Sequence, residues 1–295
     1  MMDKAQLMES LRTLGEVEGL AREAYRSLSA LFAEDKEFSS FLAQLEDDES
    51  LHFNLLGSAE SRLAAFEGDL PASEFTVDAA TRGNVADPLE ECLALIRQGA
   101  ITKRQAIDYM VQVEFSEWNA VFLYVVSLFQ ESRRDFQEIA AAVQAHQVRI
   151  GRFVDGLPED LRPERDIRQL PGVWKRRFLV VDDQERVREL LAAVLGMEGR
   201  VETAGDGEEA LEKQRTTFFD VVVSDVDMPG MDGVAFFEQG VKEDPSLARR
   251  FLFCSGSLSL RVKELCQEYG VPFLAKPTPL ALLRKTVQGI LDHLP

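Results

Sequence analysis

The sequence predicts two domains of different class: an all-α four-helix bundle, then an α/β domain built as a doubly wound, five-stranded parallel sheet. Three observations carry this. The 295 residues exceed the usual size of one domain. Apolar residues recur three and four apart upstream, whereas downstream short β-branched runs alternate with amphipathic stretches. Between the two patterns, Gly156 to Gly172 carries Pro158, Pro163 and Pro171, alternating charges and no apolar period, which reads as a linker. The domains are therefore expected at 1–157 and 176–295, with 158–175 joining them.

In the first half, helical windows run over about 4–33, 36–66, 103–130 and 132–156, with a shorter one near 88–98. Thr102 to Gln105 has the capping-box pattern for the third long helix, and Asp87-Pro88 suits the cap and first position of the short one. The Gly-, Pro- and Asp-containing stretch 67–87 is too long for a hairpin and reads as a crossover connection.

In the second half the strands fall at 178–181, 201–204, 220–224, 250–254 and 272–275. Helical patterns at 184–197, 207–217, 233–243, 259–269 and 280–293 follow them, so any site is expected at the carboxyl ends of the strands. Asp183 before Glu185 and Asp206 before the second of these helices both suit helix caps.

Charge and composition exclude several classes. A net charge of −18 opposes nucleic-acid binding, since phosphate neutralisation needs a basic surface. Most of the excess lies upstream: 27 acidic against 14 basic residues in 1–157, and 20 against 15 in 176–295. No apolar run is long enough for a membrane span and no signal pattern opens the chain, so a cytoplasmic protein is expected. Cys92, Cys254 and Cys266 have neither CxxC spacing nor an even count, which argues against a disulfide framework or a thiolate metal site.

Asp182 and Asp183 end the first predicted strand and Asp225 ends the third. Three converging carboxylates repel one another unless a hard divalent cation such as Mg²⁺ neutralises them. Ser255 and Lys276 follow the fourth and fifth strands at the same edge, offering a hydroxyl and a cation to an anion carried by Asp225. That combination is suited to phosphoryl transfer.

These residues resemble the response-regulator receiver family of two-component signalling, over essentially all of 176–295. The resemblance rests on Val181-Asp182-Asp183, the run Ser224 to Gly233, Ser255 with Gly256, and Phe273-Leu-Ala-Lys276-Pro277. It implies a flavodoxin-like fold and a phosphorelay protein that catalyses its own phosphoryl transfer from a donor. By position Asp225 is the phosphoacceptor; Asp182, Asp183, Asp225 and the Asp227 carbonyl hold Mg²⁺. Ser255 and Lys276 contact the phosphoryl oxygens, Phe273 is an aromatic switch, and Lys276-Pro277 matches a cis peptide. The implied upstream partner is a histidine kinase or phosphotransfer protein.

In the helical half, ionisable residues interrupt the apolar rows. Glu18 lies in the row Leu11, Leu14, Ala21, Tyr25, Leu28, Phe32; Glu49 and His52 lie with Leu42, Leu45 and Leu56; Glu114 and Glu117 lie with Met110, Val121, Tyr124 and Leu128; His146 lies with Phe136, Ile139, Val143, Ile150 and Phe153. Buried carboxylates and imidazoles need a partner or a metal. The positions resemble the rubrerythrin and ferritin-like carboxylate family, including its Glu-x6-Tyr as Glu18 to Tyr25. The resemblance implies that Glu18, Glu49, His52, Glu114 and His146 bind iron, with Glu117 an extra ligand.

One position departs from that family: Val143 stands where Glu-x-x-His on the fourth helix needs a carboxylate. One iron, two irons with Glu117 recruited, or a metal-free polar core all remain open. The functional reading is a phosphorelay response regulator with an iron-binding sensor or output domain acting on a downstream protein and no DNA-binding output. A receiver-regulated diiron oxidase or peroxidase, and a metal-free module for homodimerisation or protein interaction, are the alternatives.

Overall fold

The computed structural model describes residues 4–65, 79–114, 134–165, 172 and 174–294. The chain divides into two compact units, Met1–Glu131 with Ala142–Val173, and Ser132–Ala141 with Trp174–Pro295.

The first unit is helical. Helix α1 spans Lys4–Leu31 and α2 spans Lys36–Ala65. On α1 the buried residues Leu7, Leu11, Leu14, Val17, Ala21, Ala24, Tyr25 and Leu28 make one stripe of helical period, each large apolar side chain contributing about 1.5–3 kcal/mol by burial. Phe38, Leu42, Leu45 and Leu56 give α2 its own stripe.

Helix α3 spans Ala79–Arg97 and encloses Pro88. The expected start at Asp87-Pro88, and the loop expected as far as residue 87, are therefore corrected: the helix begins at Ala79, about two and a half turns earlier. Pro88 removes one helical N–H and crowds the carbonyl four residues back, yet the helix continues on both sides of it. Gly99, at φ +63°, lies just past the C-terminus of α3 in the left-handed region that glycine tolerates.

Helix α4 spans Lys103–Glu114, and Thr102 opens it with the reciprocal cap its sequence predicts. The Thr102 N–H donates to Gln105 Oε1 at 3.0 Å, and the Gln105 N–H donates back to Thr102 Oγ1 at 3.3 Å. Helix α5 spans Arg134–Gly156 and a 3₁₀ turn follows at Glu159–Leu161. The expected continuation of α4 to residue 130, with Glu117, lies outside the described residues.

The second unit is a five-stranded parallel sheet of order β2-β1-β3-β4-β5. Its strands are β1 Arg177–Val181, β2 Arg200–Ala204, β3 Val221–Ser224, β4 Phe251–Ser255 and β5 Phe273–Ala275. Helices α6 Glu185–Leu195, α7 Gly207–Thr216, α8 Gly233–Glu243, α9 Leu260–Tyr269 and α10 Leu280–Asp292 alternate with them, and a 3₁₀ segment Pro245–Arg250 precedes β4.

Alternation along the strands separates two cores. Leu179, Val181, Val222, Phe251 and Phe253 pack with Phe236, Phe237 and Leu265, while Phe178, Val180, Val223, Leu252 and Cys254 pack with Leu195, Leu283 and Val287 on the other face. A sheet covered on both faces explains why its central strands read as unbroken apolar runs. The strand order reverses between β1 and β3, so their carboxyl ends flank the crevice where such folds place ligands.

Candidate functional site

Register sets the first site. Val181 pairs with Ser224 across β1 and β3, so the next residues, Asp182 and Asp225, leave the sheet side by side. Ser255 pairs with Ala275 across β4 and β5, which puts Ser255 and Lys276 at the same edge. Ligand oxygens of Asp182, Asp183 and Asp225 all lie within 4.8 Å of one another. Asp182 and Asp225 are buried, and Asp183 is exposed.

Lys276 Nζ donates to Asp182 Oδ2 at 2.5 Å and to Asp225 Oδ2 at 2.6 Å. Burial pulls the Lys276 ammonium down, but its bonds to the two carboxylates outweigh this and hold its pKa above the usual lysine value. Asp225 Oδ1 accepts from the Val226 N–H at 2.7 Å, leaving Oδ2 as the oxygen turned to Lys276. The Lys276-Pro277 peptide is cis.

Ser255, 1 % exposed, places its hydroxyl 3.4 Å from Asp227 Oδ2, and Ser257 donates to the same oxygen. Phe273 opens β5 opposite Phe253 and is half-buried. Two contributors have no role that the sequence alone assigns. Ser257 is two residues beyond Ser255 in a polar run with no spacing signal. Gly233 starts α8, and a Cβ there would overlap the backbone carbonyl of Asp225, so only glycine fits. Its place at the end of the Ser224 to Gly233 run is the available signal. Asp206 caps α7, accepting from the Glu209 N–H at 2.9 Å, whereas Asp183 does not cap α6, where Gln184 holds the cap position without a side-chain hydrogen bond.

The helical unit gathers a second set. Ligand atoms of Glu18, Glu49 and His52 lie within 4.8 Å of one another, as do those of Glu49, Glu114 and His146. Glu49 belongs to both groups. His52 Nδ1 lies 3.0 Å from Glu49 Oε2 and 3.9 Å from Glu18 Oε2, while His146 Nε2 lies 2.9 Å from Glu114 Oε1 and 3.8 Å from Glu49 Oε1. The Glu18 side chain is 16 % exposed and the other four are nearly sealed.

Low-dielectric surroundings push these groups toward neutrality. Burial, with Glu49 beside it, raises Glu18 well above the carboxylate range; burial likewise raises Glu49 and lowers His52. Burial opposes charging of His146 too, yet Glu114 and Asp48 raise it well above the usual imidazole value. Asp48 is a member that the helical periodicity does not single out: its Oδ2 lies 2.8 Å from His146 Nδ1 and also pairs with Arg149. Its position next to Glu49 is the only signal. Glu117 lies outside the described residues.

Comparisons with known proteins identify the domain that carries the first site. The model of the response regulator receiver domain matches residues 178–288. A probable chemotaxis protein CheY of Rhizobium etli is 30% identical over 125 residues, which are 41% of this chain and 95% of that protein. The chain belongs to the response regulator receiver family through this C-terminal domain.

A protein-glutamate methylesterase/protein-glutamine glutaminase of Anaeromyxobacter dehalogenans is 44% identical over 70 residues, 23% of this chain. The chain spans only 20% and 22% of the length of the two methylesterases it matches from that organism. Among solved structures, a CheY-like receiver from Methanospirillum hungatei is 27% identical at a TM-score of 0.38, covering 40% of this chain and 94% of that one. The chemotaxis response regulator CheY4 of Vibrio cholerae is 33% identical at 0.36, covering 39% and 98%. Receiver domains generally use Mg²⁺ and interact with histidine kinases or phosphotransfer proteins. Among the described residues no helix is long and apolar enough to cross a membrane.

Proposed function

We propose that the chain is a phosphorelay response regulator that takes a phosphoryl group on Asp225 with Mg²⁺ held by Asp182, Asp183, Asp225 and the Asp227 carbonyl. The convergence of three carboxylates under the ammonium of Lys276 carries this reading. Bound Mg²⁺ supplies charge neutralisation for the incoming phosphoryl group. Asp225 Oδ2 is the oxygen free of the backbone and acts as nucleophile. Lys276 and Ser255 then receive the negative charge delivered to that oxygen, and rearrangement of Ser255 with Phe273 transmits the change to a protein partner. A small phosphodonor with Mg²⁺ tests this: an acid-stable or absent label, or one that persists in Asp225→Ala, defeats the assignment.

The donor set of the helical unit supports a second element of the reading, a ferritin-like bundle that binds iron through Glu18, Glu49, His52, Glu114 and His146. Carboxylates and imidazoles suit iron and its divalent neighbours. The Tyr25 hydroxyl points the same way: Tyr25 is 2 % exposed, and its oxygen has no hydrogen-bond partner among the described residues while lying in the field of Glu114, Glu49 and Glu18. An orphaned donor beside a polar cluster fits a site that takes a ligand. Anaerobic Fe²⁺ loading with metal analysis is the test, and a stoichiometry unchanged by Glu49→Ala with His52→Ala refutes it. Val143 in place of a carboxylate favours a sensor or output role over an oxidase or peroxidase.

A further inference from the structure

The receiver unit contains residues from outside its own domain. The family match runs over 178–288, yet Ser132–Ala141 fall in the same compact unit as Trp174–Pro295. Arg134–Ala141 are the opening turns of α5.

These turns are held at the amino edge of the sheet, away from the phosphoacceptor, by polar bonds. Gln137, 2 % exposed, accepts from the Phe218 N–H at 2.8 Å, and Arg134 pairs with Asp244. Phe218 is buried between α7 and β3, outside any helix or strand, and the acceptor for its N–H comes from 81 residues upstream. The segment is nonetheless separable from the receiver's core. Arg250 keeps Asp244 Oδ2, the Ser246 hydroxyl and the Phe219 carbonyl without it, so lifting Arg134 away strands no buried charge in the receiver.

Both anchor points connect to the acceptor. Asp244 closes α8, donating its N–H to the Gly240 carbonyl at 2.8 Å. That helix has 11 residues, about 16 Å of length, and at its other end Gly233 lies against the Asp225 carbonyl. Phe236 and Phe237 pack α8 into the core, so it transmits a displacement as a body rather than bending. Phe218, the second anchor, leads into β3, the strand that delivers Asp225.

We infer that Arg134–Ala141 forms a strap that positions the phosphoacceptor from the opposite edge of the sheet, with Arg134 and Gln137 as positioning residues acting through α8 and β3. The inference rests on Asp225 being the acceptor and adds a control point outside the domain.

Hydrogen exchange of the Phe218 amide, and acetyl phosphate labelling with Mg²⁺, test it on the full chain. Gln137→Leu combined with Arg134→Ala is expected to speed Phe218 exchange about tenfold, the worth of one hydrogen bond. Labelling of Asp225 is expected to slow about tenfold through lost alignment, with Mg²⁺ affinity unchanged. Arg134→Lys alone, which keeps the cation and Gln137, retains wild-type values of both.

Faster exchange with unchanged labelling overturns the inference, because the segment is then structural only. Unchanged exchange overturns it too, since the strap does not dock in solution. A wild type that takes no label overturns the acceptor assignment, and the inference with it. Should the double variant fail to fold by circular dichroism, the wild type decides through reciprocity. Beryllium fluoride with Mg²⁺, a phosphoryl mimic at the acceptor, is expected to change Phe218 exchange about fivefold or more, and exchange that does not respond overturns the inference.

Discussion

Lys276 Nζ stands 2.6 Å from Asp225 Oδ2, and the same ammonium reaches Asp182 Oδ2 at 2.5 Å, so one side chain competes with the cation for both buried carboxylates. Unit charges about 4 Å apart interact by about 4 kcal/mol at an effective dielectric of about 20. Even a third of that is about tenfold in affinity. Lys276→Met is therefore expected to bind Mg²⁺ about tenfold more tightly while taking the phosphoryl group about a hundredfold more slowly, having lost a preorganised partner for the developing charge. A Mg²⁺ titration and an acetyl phosphate time course on one preparation separate the two effects; weaker Mg²⁺ binding contradicts the argument.

Gly233 donates its N–H to the Val226 carbonyl at 2.9 Å and lies against the carbonyl of Asp225. Because the obstruction is backbone rather than a flexible side chain, Gly233→Ala cannot be accommodated by a rotamer change. A loss of about 3 kcal/mol or more in urea unfolding of the receiver transition is expected, with slower phosphorylation, since the acceptor's own peptide must move. Gly256→Ala, where an added Cβ meets nothing within 4 Å, is the control that should fold normally.

Asp244 ties down the start of the 3₁₀ segment before β4. It accepts from the Ser246 N–H at 2.9 Å, the Ser246 hydroxyl at 2.6 Å and Arg250 Nη2 at 2.6 Å, and it pairs with Arg134. Burial raises the Asp244 carboxyl, but Ser246, Arg250 and Arg134 outweigh burial and hold it below its usual value of 3.8. A carboxylate depressed by folding adds stability that is complete above the unfolded value and disappears as pH falls through the folded one. Asp244→Ala, which removes the carboxylate partner of the buried Arg250, should cost about 3 kcal/mol near neutrality, and the gap to wild type should narrow only below about pH 3.8. Urea midpoints at neutral and strongly acidic pH measure it; a gap that closes near pH 6 counts against the network.

Legibility followed the physics of each element. The strands were readable because short apolar or β-branched runs have no competing helical pattern, and every strand boundary fell within a residue of its expected place. Register then brought Asp182, Asp225, Ser255 and Lys276 to one edge, a consequence of strand ends that topology fixes. Pro88 misleads because a strong local breaker signals a start for a helix that in fact passes through it. Asp48 and Arg149 are hidden for another reason. Both are acidic or basic residues in charge-rich helices, and only packing distinguishes one that faces His146 from its solvated neighbours.

Asp48 offers the sharpest test of the helical site. Its Oδ2 lies 2.8 Å from His146 Nδ1, which leaves Nε2 as the ring nitrogen turned toward Glu114 and Glu49. Burial raises the Asp48 carboxyl, but hydrogen bonding and charge from His146, and then Arg149, hold it below the usual carboxylate value. Removing a side chain that orients a metal-binding imidazole typically costs 10–100-fold in affinity, about 1.4–2.7 kcal/mol. Asp48→Ala is thus expected to weaken Co²⁺ binding by about that factor at unchanged stoichiometry, and Asp48→Asn, which keeps an acceptor oxygen, to weaken it less. A purely structural role for Asp48 predicts a different pattern: lower melting temperatures in both variants with Co²⁺ affinity unchanged once each is folded. Calorimetric melts and absorption titrations on the same samples tell these apart, because orientation of His146 matters only when its Nε2 has a cation to meet.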